Sequence, residues 1–326
     1  MHDVARIACV SQMTVSRVMR GTGYISKEVR DKVESAARSI GYVHNRLAGG
    51  MADYDNPLVG VIVPTLENRV FTEVLSGISD TLSEKGLRPV FGVSDYSLAR
   101  EEELVFDLLS WRPRGLILSG LEHNEAVYRI VAQTGVRIAE IMDTDGEPIS
   151  SSFGISQVEA AIEMADHLLS KGYKKFGYVS GLSSTDLRAN KRLAAFQKRI
   201  SECGGEIVAT RIVEHSCSML DGRVFTSEIL ANPIKPDAIY YANDDLAAGG
   251  LMHCLAEGLD VPGDVAIAGF NGLSFLSALP KQITTTKTPR YDIGVAAANW
   301  LGSDESDEQT TETQGFQTEL IVGETT

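Results

Sequence analysis

The hydrophobic pattern of the chain is helical at its start and strand-and-helix thereafter. Small and apolar residues fall at Val4, Ala5 and Ala8 and again at Val15, Val18 and Met19, the spacing of two short helices joined by a tight turn at Cys9-Val10-Ser11. Ser11 stands where an N-cap is wanted, its hydroxyl able to accept a free amide of a helix beginning at Gln12. That helix would turn Gln12, Met13, Ser16 and Arg17 away from its core. A third helix is expected from Ser26, with Val29, Val33, Ala36, Ala37 and Ile40 on one side and Gly41 as its stop. Residues 45–52 have the composition for one or two further turns. Gly49 and Gly50 each cost about 1 kcal/mol relative to alanine, so this segment is not expected to stand as a helix alone. Asp55-Asn56-Pro57 then reads as a linker.

From Leu58 onward short apolar runs alternate with amphipathic stretches. Strands are predicted at Leu58 to Val63, Arg88 to Val93, Gly115 to Leu118, Val136 to Ile141, Lys175 to Val179, Ile207 to Val213, Ala238 to Ala242 and Val265 to Phe270. Helices are predicted at about Val70 to Lys85, Glu101 to Ser110, Asn124 to Thr134, Val158 to Lys171, Arg188 to Cys203, Leu220 to Ala231 and Leu246 to Glu257. Such alternation means parallel sheets covered by helices on both faces, and there is enough of it for two. Ligands of such sheets bind beyond the carboxyl ends of the strands, here in a cleft between the two. Gly302 to Gln314 reads as an acidic loop and Phe316 to Val322 as a last strand. No leucine heptads follow to form a tetramerising coil.

Composition sharpens this outline. At 326 residues two or three units are expected. The formal charge of -14 argues by itself against nucleic acid, but its distribution reverses that. Residues 1–50 carry eight Lys/Arg against four acids, a surplus of +4, which leaves -18 on the remainder. A small basic module on a large acidic body is what is expected when only one end is to approach phosphates. Cys9, Cys203, Cys217 and Cys254 lie far apart with no CxxC pattern, so they read as free thiols and no metal or cofactor is expected. No apolar run approaches the roughly 20 residues of a membrane span, and the protein is expected in the cytoplasm.

The stretch DVARIACVSQMTVSRVM, followed by ISKEVRDKVESAARSIGYVHNRLA, resembles the DNA-binding headpiece of the lactose-repressor (LacI) family of bacterial transcription regulators, in one register from Asp3 to about Met51. Relatives carry several residues before Asp-Val-Ala where this chain has Met1-His2, so Asp3 is read as the cap of the first helix. The resemblance implies a small all-α helix-turn-helix headpiece and an α/β periplasmic-binding-protein-like effector domain made of two doubly wound parallel-sheet subdomains. The expected boundaries are residues 1–44 for the headpiece, 45–57 for a hinge helix and linker, and 58–326 for effector binding and dimerisation. The first subdomain is expected at about 58–156 plus 290–312 and the second at about 157–289 plus 313–326.

Gln12 and Arg17 are then the base readers, since arginine pairs bidentately with guanine and glutamine with adenine, and Met13 stands beside them for a thymine methyl. Thr14, Ser16, Tyr24, Asn45 and Arg46 are expected at the DNA, and Met51, where the family usually has leucine, as an apolar wedge in the minor groove. By the same resemblance Phe71, Arg192, Asn243 and Asn271 fall on effector-contacting positions. Asn271 replaces an aspartate common in relatives that bind neutral sugars, which makes the pocket more positive and favours an anionic ligand. PTLENRVFTEVLSGI, EIMD and AIAGFNG are similar to gluconate-utilisation repressors, so a sugar acid is the expected effector class. Ser156-Gln157 replaces the common Asp-Asn at the crossing between subdomains. The expected partners are a palindromic DNA operator, a small anionic sugar derivative and a second copy of the chain. A solute receptor of the same body would lack the basic headpiece, and an enzyme would need a nucleophile elbow, P-loop or metal cluster that is not seen.

Overall fold

The structure is a computed structural model that describes residues 1–20, 23–40, 56–181, 184–303 and 311–326. Asn45, Arg46 and Met51 lie outside the described residues. The chain divides into two compact units, one on each side of the Asp55-Asn56 peptide.

The first unit holds helices α1 (His2–Ala8), α2 (Gln12–Arg20) and α3 (Lys27–Ser39). Val4, Ala5, Ala8, Val15, Val18, Val33, Ala36 and Ala37 form its core. Cys9 takes a left-handed φ of 54° to end α1, and Ser11 Oγ accepts the Thr14 amide at 3.1 Å to start α2. Ser26 does the same for α3, accepting from Val29 N at 3.4 Å. Two expectations fail here. Asp3 lies inside the first turn, where its carboxylate takes Arg6 at 3.2 Å, and Met1 occupies the cap position with no side-chain bond. Ile40 follows the last turn of α3 and is 43% exposed.

The second unit consists of two six-stranded sheets, one in each of two lobes. In the first lobe β1 (Leu58–Val63), β2 (Arg88–Val93), β3 (Gly115–Ser119), β4 (Arg137–Ile141), β5 (Ser151–Gly154) and β11 (Glu312–Gly315) run parallel in the order β11-β5-β4-β3-β1-β2. In the second, β6 (Lys175–Ser180), β7 (Glu206–Ile212), β8 (Ala238–Tyr241), β9 (Ala266–Asn271), β10 (Thr284–Lys287) and β12 (Glu319–Ile321) repeat that order as β12-β10-β9-β8-β6-β7, with β12 antiparallel at the edge. The chain passes between the lobes three times, after β5, after β10 and after β11.

Strand alternation sorts the core. Val59, Val61, Val63 and Ile117 face α4 (Arg69–Glu84) and α11 (Arg290–Leu301), while Ile62, Leu116 and Leu118 face α5 (Leu98–Ser110) and α6 (Glu125–Thr134). Tyr178, Tyr240 and Ala268 pack with α7 (Gln157–Ser170) and α8 (Leu187–Glu202); Ile239, Tyr241 and Ile267 pack with α9 (Met219–Leu230) and α10 (Asp244–Ala256). Helices α4 and α11 approach backbone to backbone, since a Cβ on Gly77 would overlap the Tyr291 carbonyl and one on Gly294 the Val74 carbonyl.

The eight strands predicted from apolar runs are present. Strands β5 and β10 are additions, as is helix α11. The stretch read as a loop up to Gln314 contains β11, which lies in the first sheet as far as Gly315 and so carries the first lobe three residues beyond its expected end. Among the described residues no helix is long and apolar enough to cross a membrane.

Candidate functional site

Helix α2 has one apolar and one polar side. Val15 and Val18 are buried, Gln12, Met13 and Arg17 are exposed, and Thr14 and Ser16 lie half-buried between. Thr14 Oγ1 is 2.9 Å from Ser11 Oγ, so its hydroxyl belongs to the turn as much as to the outer surface. Tyr24, just before α3, is fully exposed. A short helix anchored on one side and offering Gln, Met and Arg on the other has the shape to enter a major groove.

A cavity of about 440 Å³ lies in the second unit, lined from both lobes at the carboxyl ends of β1, β4, β6, β8 and β9. Phe71, Arg192, Asn243 and Asn271 all line it. Phe71 is held there because Asn68 caps α4, its Oδ1 accepting from Val70 N at 3.0 Å. Asn243 Oδ1 caps α10 by accepting from Leu246 N at 2.9 Å, so the residue serves both as cap and as cleft wall. Asn271 ends β9 with a φ of 115°, and its carbonyl accepts from Arg290 Nη1.

Arg192 is the most informative of the four. It is only 7% exposed, stacked 4.0 Å above the Phe270 ring, and held by Gln157 Oε1 at 2.5 Å and by the Ala242 carbonyl at 3.2 Å. Its Nε is buried without a hydrogen-bond partner, and no carboxylate pairs with it among the described residues. Nearby Tyr178 and Tyr240 pack edge to face at 5.8 Å with buried, unpartnered hydroxyls. Burial pushes the Tyr178 hydroxyl up to about 12, with the Arg192 charge working against it.

Two further arginines reach the cavity. Arg69 lies 5.0 Å over Phe275, and Arg188 lies 5.8 Å over Phe71 and donates to Ser119 Oγ at 2.6 Å across the lobes. Of the acids on the wall, Asp186 is occupied in capping α8 through Ala189 N at 3.1 Å. Asp245 is pushed up by burial, with the Arg69 charge pulling it back. The sequence reading missed Arg188, although it stands four residues before Arg192 on the same helix, the spacing that puts two side chains on one face.

Other bonds join the lobes beside the cavity. Lys191 Nζ, on α8 of the second lobe, meets Glu122 at 2.5 Å, Asp143 at 2.7 Å and the Asp145 carbonyl at 3.0 Å, all in the first. Gln157, the first residue of α7, donates its amide to the Met142 carbonyl at 2.8 Å while accepting from Arg192. Arg290, the first residue of α11, joins the Asn271 carbonyl to both carboxylate oxygens of Glu73 at 3.1 Å.

Behind Glu122 the first lobe buries a charged triad. His123 Nδ1 is 2.5 Å from Glu101 and Nε2 is 3.2 Å from Glu140, and its side chain has no exposure. Burial pulls the imidazole down, but the hydrogen bonds and charges of Glu101 and Glu140 outweigh it and hold it at about 9. Glu140 is pushed up by burial, against His123 and the Ile149 amide, which donates at 2.6 Å.

His215, Cys217 and Asp221 bring three potential ligand atoms within 4.8 Å of one another, a grouping the spacing of the cysteines did not suggest. Asp221 is engaged in a capping box with Ser218, and burial, helped by the Asp221 charge, pushes the Cys217 thiol up to about 11. These groups therefore account for the start of α9 rather than for a poised thiolate site.

A helix-turn-helix unit and a two-lobed, cleft-bearing body in one chain are the architecture of a DNA-binding transcriptional regulator. Residues 1–45 match the family described as bacterial regulatory proteins, lacI family, and residues 165–326 match the periplasmic binding protein-like domain. The chain is 34% identical to the HTH-type transcriptional regulator GntR of Pseudomonas aeruginosa over 92% of its own length and 88% of the relative's. A LacI-family transcriptional regulator from Silicibacter pomeroyi has the same structure with a TM-score of 0.93 at 38% identity, covering 99% of this chain and 98% of that one. The lac repressor dimer bound to operator shares the fold, with a TM-score of 0.81 at 24% identity over 99% and 97% of the two chains. The chain belongs to the LacI family of bacterial transcriptional regulators.

Proposed function

We propose that the protein is a cytoplasmic repressor that binds a palindromic operator as a homodimer and responds to a sugar acid such as gluconate held in the cleft. The observation that carries the effector class is Arg192, a buried guanidinium with an unpartnered Nε and neutral acceptors on its other nitrogens. A buried cation without a counter-ion is costly, and a ligand carboxylate supplies what is missing. The resemblance to gluconate-utilisation repressors points the same way. Thermal unfolding with D-gluconate, D-gluconate 6-phosphate and D-glucose tests it. A ligand at 100 times its dissociation constant stabilises by about 2.7 kcal/mol, and stabilisation by glucose alone would reject the anionic reading.

On the DNA side, Gln12 and Arg17 read bases while Thr14, Ser16 and Tyr24 position the backbone. Arg17→Ala is expected to weaken operator binding by about 1–3 kcal/mol and non-specific binding far less. Fluorescence anisotropy with operator and scrambled duplexes measures both. Equal losses on the two would remove Arg17 from base readout.

A further inference from the structure

The two lobes share a device at corresponding places. In each, the residue that follows or closes the strand third from the β11 or β12 edge has a positive φ, Met142 at 76° after β4 and Asn271 at 115° in β9. In each, the carbonyl of that residue accepts from the first residue of the helix that follows a crossover, Gln157 of α7 or Arg290 of α11. Each clasp therefore spans the lobes beside a crossover. A positive φ on a β-branched or bulky residue is a held conformation rather than a free choice, and Met142 is bulky.

The two clasps differ in what lies behind them. Arg290 is backed by Glu73 of α4, a full charge pair. Gln157, 2% exposed, is backed only by Arg192, so one amide links the Met142 carbonyl in the first lobe to the guanidinium on the cavity wall in the second. Its orientation is fixed by chemistry, since the guanidinium can only donate and the carbonyl can only accept. Gln157 is also what leaves the cation unneutralised, because a carboxylate at this position would pair with it.

We infer that Gln157 is the positioning residue that couples occupancy of the cleft to the arrangement of the lobes. The inference rests on the reading of the cleft as an anion-binding effector site. An arriving carboxylate is a charged acceptor, and such bonds are roughly twice as strong as those to a neutral amide. It competes with Gln157 Oε1 for Arg192, which has an unpartnered Nε to offer as well. Once Arg192 turns to the ligand, the Gln157 amide loses the bond that holds its orientation, and the Met142 carbonyl loses its fixed donor. The ligand thereby acts differently on the clasped and unclasped arrangements, which is the condition for any ligand to shift between them.

The test uses the full chain with Gln157→Met, close to glutamine in size but unable to make either bond, and Gln157→Ala as a second variant. D-gluconate binding is measured by calorimetry, and operator binding by anisotropy with and without 10 mM D-gluconate. In both variants gluconate is expected to bind within about fivefold of the unaltered protein, while the fold-change that it makes in operator affinity falls at least tenfold. Without ligand, both variants are expected to differ from the unaltered protein in operator affinity by threefold or more, because the clasp is already open. An undiminished gluconate effect on operator affinity would overturn the inference. So would loss of gluconate binding as complete as that of Arg192→Met, which would make Gln157 a ligand contact. If gluconate fails to bind the unaltered protein, the effector reading fails, and the ligand-free comparison still decides the clasp: an unchanged operator affinity overturns it.

Discussion

His123→Ala is expected to destabilise the protein by about 3–5 kcal/mol at pH 6.5, a loss that thermal unfolding would record as roughly 10 °C. The cause is what remains, not what is removed. Glu101 and Glu140 are 5% and 0% exposed, and without the imidazolium between them they are two buried carboxylates facing one another. The sign of the pH dependence follows from the shift. The imidazole titrates at about 9 in the folded protein against an ordinary 6.5, so the folded state binds its proton more tightly. Its contribution is fully present below pH 6.5 and is lost as the pH rises through about 9. The difference between the unaltered protein and His123→Ala should therefore narrow between pH 6.5 and pH 9.5. A difference that stays constant across this window would assign the loss to packing alone.

Arg192→Met should have the opposite balance, a severe loss of ligand with little loss of fold. A buried group that holds a ligand charge typically costs 2–5 kcal/mol when truncated, so D-gluconate affinity should fall roughly 100- to 1000-fold by calorimetry. The ligand-free protein should melt within a few degrees of the unaltered one or slightly above it. The substitution removes a buried cation and an unpartnered Nε, and leaves the methionine side chain against Phe270. D-Glucitol, which matches gluconate without the charge, completes the experiment. The preference for gluconate over glucitol should disappear in the variant. If it survives intact, the carboxylate is recognised elsewhere, with Arg69 and Arg188 as the remaining cations on the cavity wall.

What could be read from the sequence followed what hydrophobic patterning can carry. Strands β1, β3, β4, β6, β8 and β9 are buried runs rich in apolar residues and announce themselves, and the more exposed edge strands β2 and β7 still carry enough apolar residues to be read. Strands β5 and β10 are as deeply buried but are written in hydroxyls, Ser151-Ser152 and Thr284-Thr285-Thr286. Their polarity is answered by partners far along the chain: Ser151 Oγ accepts the Glu312 amide, Ser152 Oγ donates to Thr313, and Thr285 donates to Asp244. No local window shows that. The His123 triad was invisible for the same reason, because its members read separately as a helix start, a loop and a strand. Within the cleft, resemblance supplied Phe71, Arg192, Asn243 and Asn271, and the structure brings them to one cavity. It did not supply Arg188 or the bonds of Gln157, which depend on how α7 and α8 meet the first lobe. Asp3 was misplaced because a residue two positions past the cap, inside the first turn, satisfies the same dipole argument as the cap itself.

The pairing of α4 with α11 has a consequence for synthesis of the chain. The side of α4 that carries Val74, Gly77 and Ile78 lies against Tyr291, Gly294 and Val295 of a helix encoded on the order of 200 residues later. At ordinary rates of about 5–20 residues per second, that face waits roughly 10–40 s on the ribosome without its partner. The edge strand β11 arrives later still. The first lobe is thus begun first and finished last, after the second lobe has been made almost whole. A chain truncated before Arg290 should expose this surface to chaperones, whereas the released full-length chain should not.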